Sequence, residues 1–153
     1  AYLDRFSRIG PESMLASGGP VAKRAGDEII GLFFGGVSGP RHAAAAIDAA
    51  TRLMVLAGRS DATSMGPIPI GAAVHTGDAY VGTTGPAGAV DDFTALGDTV
   101  NSASRLASAA AAGELLISVA AADLANYQAA SGEPRTVDIR GREAAIDVVV
   151  VRP

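Results

Sequence analysis

Apolar positions in the first part of the chain recur first at helical and then at strand spacing. Residues 2–15 carry large apolar side chains three to five positions apart, which predicts a helix that ends at a Gly-Gly-Pro stop. Two short apolar runs follow, Val21 to Ala25 and Ile29 to Phe34. The Gly-Asp-Glu segment between them predicts a β-hairpin with Asp27 at its tip.

The apolar positions in the middle of the chain also alternate between helical and strand spacing. Arg41 to Ala57 has one apolar stripe, which predicts a helix. Ile70 to His75 and Ala79 to Val81 are short apolar runs around a polar turn, and they predict a second hairpin followed by a loop over residues 82–89. Asp98 to Ala112 predicts another helix, with its first residue as the N-cap and a glycine closing it.

The last third of the chain predicts mostly strands. Leu115 to Ser118 reads as a strand, Val119 to Tyr127 as a short helix, and Thr136 to Ile139 with Ala145 to Val151 as a terminal strand pair. Strand pairs that alternate with one-sided helices are typical of the α+β class. We therefore predict a ferredoxin-like antiparallel sheet with helices packed on one of its faces.

Composition limits the possible functions. The chain has 153 residues, 48% of them hydrophobic, which predicts one compact domain over residues 1–153. A net charge of −4 without a run of Lys or Arg argues against nucleic-acid binding. The chain has no cysteine, which excludes disulfides and thiolate metal sites and suits the cytoplasm. It also has no apolar run long enough to cross a membrane, so we expect no direct membrane insertion.

Two polar segments carry a family resemblance. They are Lys23-Arg24-Ala25-Gly26-Asp27-Glu28 and the longer segment from Asp92 to Leu106, which reads DFTALGDTVNSASRL. Both resemble the signature segments of class III adenylate and guanylate cyclases. Val74 to Gly77, Tyr80 to Gly82 and Gly113 to Ser118 also match the family in the same order along the chain. The resemblance implies the class III nucleotidyl cyclase fold over nearly the whole sequence.

The resemblance implies an adenylate cyclase that converts ATP into 3′,5′-cyclic AMP and pyrophosphate. In this reaction the ribose 3′-hydroxyl of ATP attacks its own α-phosphate, so catalysis depends on positioning and charge neutralisation. The family uses two divalent ions at each site, Mg²⁺ or Mn²⁺, held by two aspartates. Asp27 matches one of them, and a carboxylate at a hairpin tip suits a hard cation.

Four further residues match the family's site residues. Arg105 resembles the arginine that stabilises the charge developing on the reacting phosphate. Asn101 precedes it by four residues, a spacing that predicts both side chains on one helix face. Lys23 and Thr94 match the pair that reads the purine, because a lysine donor and a threonine oxygen acceptor complement adenine. Guanine presents the reverse pattern, so the resemblance implies ATP as the substrate.

Each site residue has a plainer explanation when it is taken alone. Asp27 suits a tight turn, and Asn101 and Arg105 suit a solvated helix surface. Lys23 and Thr94 would be an ordinary strand residue and an ordinary loop residue. The shared order of the motifs favours the cyclase interpretation for all five.

The chain departs from the family in one respect. The family's domain opens with a strand that carries the second metal aspartate, and nothing in residues 1–153 matches it. We therefore expect a single cyclase domain without its first strand, inactive by itself. The resemblance also implies a head-to-tail homodimer, in which Asp27, Lys23 and Thr94 of one subunit face Asn101 and Arg105 of the other. The alternative is a non-catalytic cyclase-like module that dimerises or binds nucleotide to regulate an attached domain.

Overall fold

The computed structural model describes residues 2–19, 21–25, 27–59, 66–84, 92–139 and 145–153, and in these ranges it contains five helices and eight strands. In chain order the elements are α1 (Tyr2–Ala16), β1 (Val21–Ala25), β2 (Glu28–Gly31), α2 (Gly35–Ser38), α3 (His42–Gly58), β3 (Ala72–Val74), β4 (Tyr80–Thr84), β5 (Asp92–Leu96), α4 (Asp98–Ala109), β6 (Leu115–Ser118), α5 (Val119–Ala125), β7 (Glu133–Val137) and β8 (Ile146–Val151). Among the described residues, no helix is both long enough and apolar enough to traverse a lipid bilayer.

The described strands form one four-stranded sheet and two hairpins. The sheet has the order β3-β6-β8-β7, in which β3 runs parallel to β6 and the other neighbours are antiparallel. The strands β1 and β2 form the first hairpin, and β4 and β5 form the second. The α+β class is therefore confirmed, with a mixed sheet in place of the antiparallel one that the sequence predicted.

The predicted pairing of the two runs around residues 76–78 was wrong. The first run, β3, pairs in parallel with β6, and the second, β4, pairs with β5. The physical reason is burial, since β6 is fully enclosed and a short apolar strand such as β3 is a suitable parallel neighbour for it. The predicted loop was also too long, because β4 extends to Thr84. Residues 85–89 of that loop lie outside the described residues.

Helices cover both faces of the four-stranded sheet, whereas one covered face was predicted. Successive side chains of a strand point to opposite faces, and β6 follows this rule. Leu115 and Ile117 pack with α3 and α5, and Leu116 packs with Leu106 of α4. These four side chains are completely buried. Each contributes about 2 kcal/mol by leaving water, so the sheet is held firmly between α4 and the other helices.

The predicted first helix packs on the third. Phe6 and Ile9 of α1 join Leu53 and Ala57 of α3 in one buried cluster. Arg5 strengthens this contact, because its guanidinium donates to the backbone carbonyls of Leu56 at 2.9 Å and Arg59 at 2.6 Å, at the carboxyl end of α3. The pair of helices supports the hairpin of β1 and β2, since α1 contacts both strands.

The helix α4 begins one residue away from its predicted start. The N-cap is Gly97, with a φ of 128° that favours glycine, and Asp98 is the first helical residue. A carboxylate in the first turn still complements the positive end of the helix dipole. The shift does not alter the relative placement of Asn101 and Arg105, which both lie within α4.

Candidate functional site

The hairpin of β1 and β2 carries the predicted metal ligand at its tip. Ala25 pairs with Glu28, so Asp27 lies in the turn, where its side chain is exposed. This placement agrees with the prediction from the sequence. A carboxylate exposed on a short turn between paired strands is accessible to a cation from solution.

Asp27 borders a cavity of about 700 Å³. All residues of β2 and β3 line this cavity, together with apolar side chains of the surrounding helices such as Phe6, Met14 and Leu53. Each of the two strands pairs on one side only within the described residues, β2 with β1 and β3 with β6. The cavity is therefore an apolar space between two strands that each have an edge available for pairing.

The residues predicted to stabilise the transition state lie on a side of α4 that does not line the cavity. Asn101 and Arg105 are both exposed and are four residues apart, so they share one face of the helix. The α4 residues that line the cavity are Thr99, Val100, Ala103, Ser104, Ala107 and Ser108. This helix is described throughout, and Asn101 and Arg105 are absent from the lining. A single chain therefore does not bring them into the space that Asp27 borders.

The amino end of α4 is anchored to the loop that follows β3. The hydroxyl of Thr99 donates to the backbone carbonyl of Asp78 at 2.6 Å. The loop approaches so closely that a Cβ on Gly77 would lie 2.5 Å from the same hydroxyl. A larger residue at position 77 would therefore displace the side chain of Thr99. The contact connects the first turn of α4, which carries Asn101, to the segment that precedes β4.

The strands that carry the predicted purine-reading residues lie side by side. Lys23 is in β1, where it pairs with Ile30, and Thr94 is in β5, where it pairs with Gly82. The strands β1 and β5 contact each other, although they belong to different hairpins. The structure thus brings together the two backbone segments that the prediction required to meet.

A polar contact that the sequence analysis did not predict joins the hairpin to α4. The hydroxyl of Ser104 donates to a carboxylate oxygen of Glu28, 76 positions away in the chain. Glu28 follows the metal-ligand candidate Asp27, and Ser104 precedes Arg105. Both residues lie inside the signature segments, which is the only signal in the sequence that could have drawn attention to them.

A second unpredicted feature is a carboxylate at the start of β6, held by two arginines. The side chain of Glu114 is 8% exposed and accepts from Arg135 Nη1 at 2.9 Å and Nη2 at 3.0 Å. It also accepts from Arg152 at 2.9 Å and from the backbone N–H of Ala111 at 2.9 Å. The hydrogen bonds from Arg135, then that from Ala111, lower the pKa of Glu114 from 4.5 to about 2. This cluster, which we call the Glu114 cluster, joins the residue before β6, the strand β7 and the residue after β8.

The described residues do not form a cluster of metal ligands. They contain no group of three or more His, Asp or Glu side chains that could hold an ion. Asp27 alone supplies an oxygen ligand of the kind that Mg²⁺ and Mn²⁺ prefer. One exposed carboxylate binds such an ion weakly, so the described residues do not form a complete site for two ions by themselves.

Known proteins resemble this chain in both sequence and fold. Residues 5–151 match the sequence profile described as "Adenylate and Guanylate cyclase catalytic domain". A search of curated protein sequences found no match. Among solved structures, the guanylyl cyclase Cya2 is 21% identical with a TM-score of 0.78, and the match covers 97% of this chain and 77% of that one. The adenylyl cyclase CyaB from P. aeruginosa is 28% identical with a TM-score of 0.70, covering 98% and 80%.

A third similar structure is the dimeric guanylyl cyclase domain of the RhoGC fusion protein from the fungus Blastocladiella emersonii. It is 21% identical with a TM-score of 0.72, and the match covers 99% of this chain and 80% of that one. Likeness to these structures confirms the predicted fold, and the profile match extends over almost all of the sequence. The chain belongs to the family of adenylate and guanylate cyclase catalytic domains.

Proposed function

We propose that the chain is the catalytic domain of an adenylate cyclase, which converts ATP to 3′,5′-cyclic AMP and pyrophosphate. The ribose 3′-oxygen forms a bond to the α-phosphorus, and the bond from that phosphorus to the oxygen bridging to the β-phosphate breaks. The observation that carries the proposal is the family match over residues 5–151 with Asp27 at a hairpin tip and Asn101 and Arg105 on one exposed helix face. A permanent guanidinium at that position stabilises charge on the reacting phosphate.

The choice of ATP rests on Lys23 and Thr94. The similar solved structures include both guanylyl and adenylyl cyclases, so the family alone leaves the purine open. A lysine ammonium donates to N1 of adenine, and a threonine oxygen accepts from its N6 amino group. Guanine offers a donor at N1 and an acceptor at O6, which this pair does not complement. The contact between β1 and β5 supports a joint role for the two residues.

A head-to-tail homodimer follows from the separation of the two half-sites. Within one chain Asp27 borders the cavity, whereas Asn101 and Arg105 lie on a different side of α4. A second copy supplies the missing half, and two-fold symmetry then creates two equivalent sites. Tyr80 and Val81, beside the amino end of α4, are 83% and 40% exposed, which suits burial against that second copy.

The cavity supports the proposal that the active domain contains a further strand. A strand between β2 and β3 would pair with the available edges of both and would cover the apolar lining. An aspartate on that strand, next to Asp27, would complete the carboxylate pair for two Mg²⁺ or Mn²⁺ ions. Such ions neutralise phosphate charge and lower the pKa of the attacking hydroxyl when they are bound. The described residues place no strand between β2 and β3, so we expect little activity from the domain without a further strand.

The test is a product assay in two forms of the protein. One form is residues 1–153, and the other includes any residues that the gene encodes before residue 1. With Mg²⁺ or Mn²⁺ we expect cyclic AMP from ATP in the longer form, little product from the shorter form, and none from an Asp27→Ala variant of either. No product from the longer form would refute the cyclase proposal. A preference for GTP would refute only the role of Lys23 and Thr94.

One observation favours a second candidate function, a non-catalytic module that binds nucleotide or dimerises to regulate an attached domain. The described residues hold one of the two proposed metal aspartates, Asp27, and no metal-binding group of three. Calorimetry on the longer form distinguishes the two candidates. Nucleotide binding without turnover supports the regulatory module, whereas any turnover that Asp27→Ala abolishes excludes it.

A further inference from the structure

The hydrogen bond between Ser104 and Glu28 connects two elements that serve different active sites in the proposed dimer. Glu28 is the first residue of β2 and the neighbour of Asp27, which belongs to one site. Ser104 lies on α4 next to Arg105, which belongs to the other site. The bond is formed within one chain and is partly buried. Each protomer therefore has a direct polar link from one of its half-sites to the other.

We propose that Glu28 and Ser104 are positioning residues that couple the two active sites of the dimer, so that a change at the metal-binding hairpin of one site moves the arginine helix of the other. The inference rests on the proposed function, because it needs a dimer with shared sites. It goes further by assigning a role to two residues that do not themselves meet the nucleotide.

The chemistry of the bond suits such a link. A hydroxyl that donates to a carboxylate forms a stronger and shorter hydrogen bond than one between neutral groups, and partial burial shields it from competing water. The exposed hairpin tip is the part of this region that a cation or nucleotide would displace.

The helix on the other side of the bond is suited to transmit a displacement. Leu106 and Ser102 bury one side of α4, with 0% and 1% exposure, and Thr99 anchors its first turn. A helix packed in this way shifts as a unit and does not bend locally. A displacement of Ser104 therefore also displaces Asn101 and Arg105, and no further contact is needed.

The experiment uses mixed dimers with one complete site, made from the longer form of the protein. One protomer carries Asp27→Ala and the other Arg105→Ala, so the complete site takes Asp27 from the second protomer and Arg105 from the first. Ser104→Ala is then added to the protomer that carries Arg105→Ala. There Ser104 lies in the incomplete site and can reach the complete one only through Glu28. We expect kcat to fall about tenfold, within the usual range of coupling between sites.

Three further variants sharpen the result. Glu28→Ala in the protomer that carries Asp27→Ala should lower kcat by a similar factor, because it acts on the complete site only through Ser104. Ser104→Thr keeps the hydroxyl and should restore most of the activity. Ser108→Ala is the matched control, since this hydroxyl lies one turn further along α4 and donates only to the carbonyl of Ser104, at 3.1 Å. It should leave kcat unchanged.

The outcomes separate the inference from the proposed function. No product from the mixed dimer without further substitutions would refute the shared sites, and the inference with them. Product that neither distant variant lowers would overturn the inference alone. Sedimentation measures the amount of dimer in each mixture, and a loss of activity that follows loss of dimer would show a merely structural role and also overturn the inference.

Discussion

Arg135 and Arg105 differ in their surroundings more than in their chemistry. The side chain of Arg135 is 32% exposed and gives both of its terminal nitrogens to Glu114, whose side chain is 8% exposed. Arg105 lies on the exposed face of α4, and the proposed metal ligand Asp27 is exposed as well. The charges of the Glu114 cluster are matched by partners within one chain, and Glu114 itself is largely shielded from solvent. Those proposed for catalysis lie at the surface, where nucleotide and a second chain can reach them.

The Glu114 cluster shows that a shifted pKa alone does not identify an active site. Strongly shifted pKa values often mark functional residues, and the carboxyl of Glu114 has such a shift. Its main causes are the hydrogen bonds from Arg135 and from the backbone N–H of Ala111, and none of these residues belongs to the proposed site. A search for shifted pKa values alone would therefore have selected the Glu114 cluster. The exposure of the side chains and their positions in the family's motifs distinguish the proposed site from the Glu114 cluster better than pKa values do.

The largest expected effect comes from Arg105→Ala. In the longer form of the protein, removing the cation that we propose stabilises the transition state should lower kcat about 10³-fold. Thermal unfolding should change little, because the residue is exposed on the helix surface. Product assays and a melting curve on the same preparation check both parts. A large drop in melting temperature would show that Arg105, like Arg135, stabilises the fold, and would contradict the distinction drawn between the two residues.

Arg135→Ala should have the opposite profile. It removes two hydrogen bonds to Glu114 and leaves Arg152 as the remaining arginine partner. We expect the melting temperature to fall by about 5 °C, a typical effect for loss of part of such a cluster in a domain of this size. The kcat of the folded protein should stay near that of the unsubstituted protein. A loss of kcat without a loss of stability would show that the cluster also serves the reaction.

The pH dependence of stability sharpens the contrast further. The folded protein holds the pKa of Glu114 at about 2, below its ordinary value of 4.5, so the unfolded chain takes up this proton first as the pH falls. The stability that Glu114 contributes is therefore present above about pH 4.5 and is lost between pH 4.5 and 2. Urea unfolding across this range should show a decline that is shallower in Glu114→Gln. Equal slopes for the two proteins would contradict the assignment.

The smallest effect is expected from Arg152→Ala. This side chain is 55% exposed and gives one nitrogen to Glu114, whereas Arg135 gives two. Exposed ion pairs contribute little to stability, so we expect a fall in melting temperature of about 2 °C or less. Parallel melting curves of the two arginine variants measure the difference. A larger effect from Arg152 than from Arg135 would reverse the ranking that exposure predicts.

Sequence reasoning located the candidate site better than it located the strand partners. It placed Asp27 in a hairpin turn and Asn101 and Arg105 on one helix face, and the structure agrees. These are local features that depend on turn residues and on a spacing of four. It paired β3 with β4, whereas the structure pairs β3 with β6, about 40 residues further on. Neighbouring apolar runs suggest a hairpin, and local spacing contains no information about a distant partner that is more deeply buried.

Local sequence patterns were enough to predict most of the helices and strands, the family and the elements that hold Lys23, Asp27, Asn101 and Arg105. The short helix α2 and the strand β5, which holds Thr94, were not predicted. The pairing of the strands and the coverage of both sheet faces by helices became known only from the folded structure. The same is true of the hydrogen bond from Ser104 to Glu28 and of the ion pairs from two arginines to Glu114. The physical reason is that periodicity and turn chemistry act over a few residues. Burial and hydrogen bonding act between residues that the folded chain brings together from distant positions.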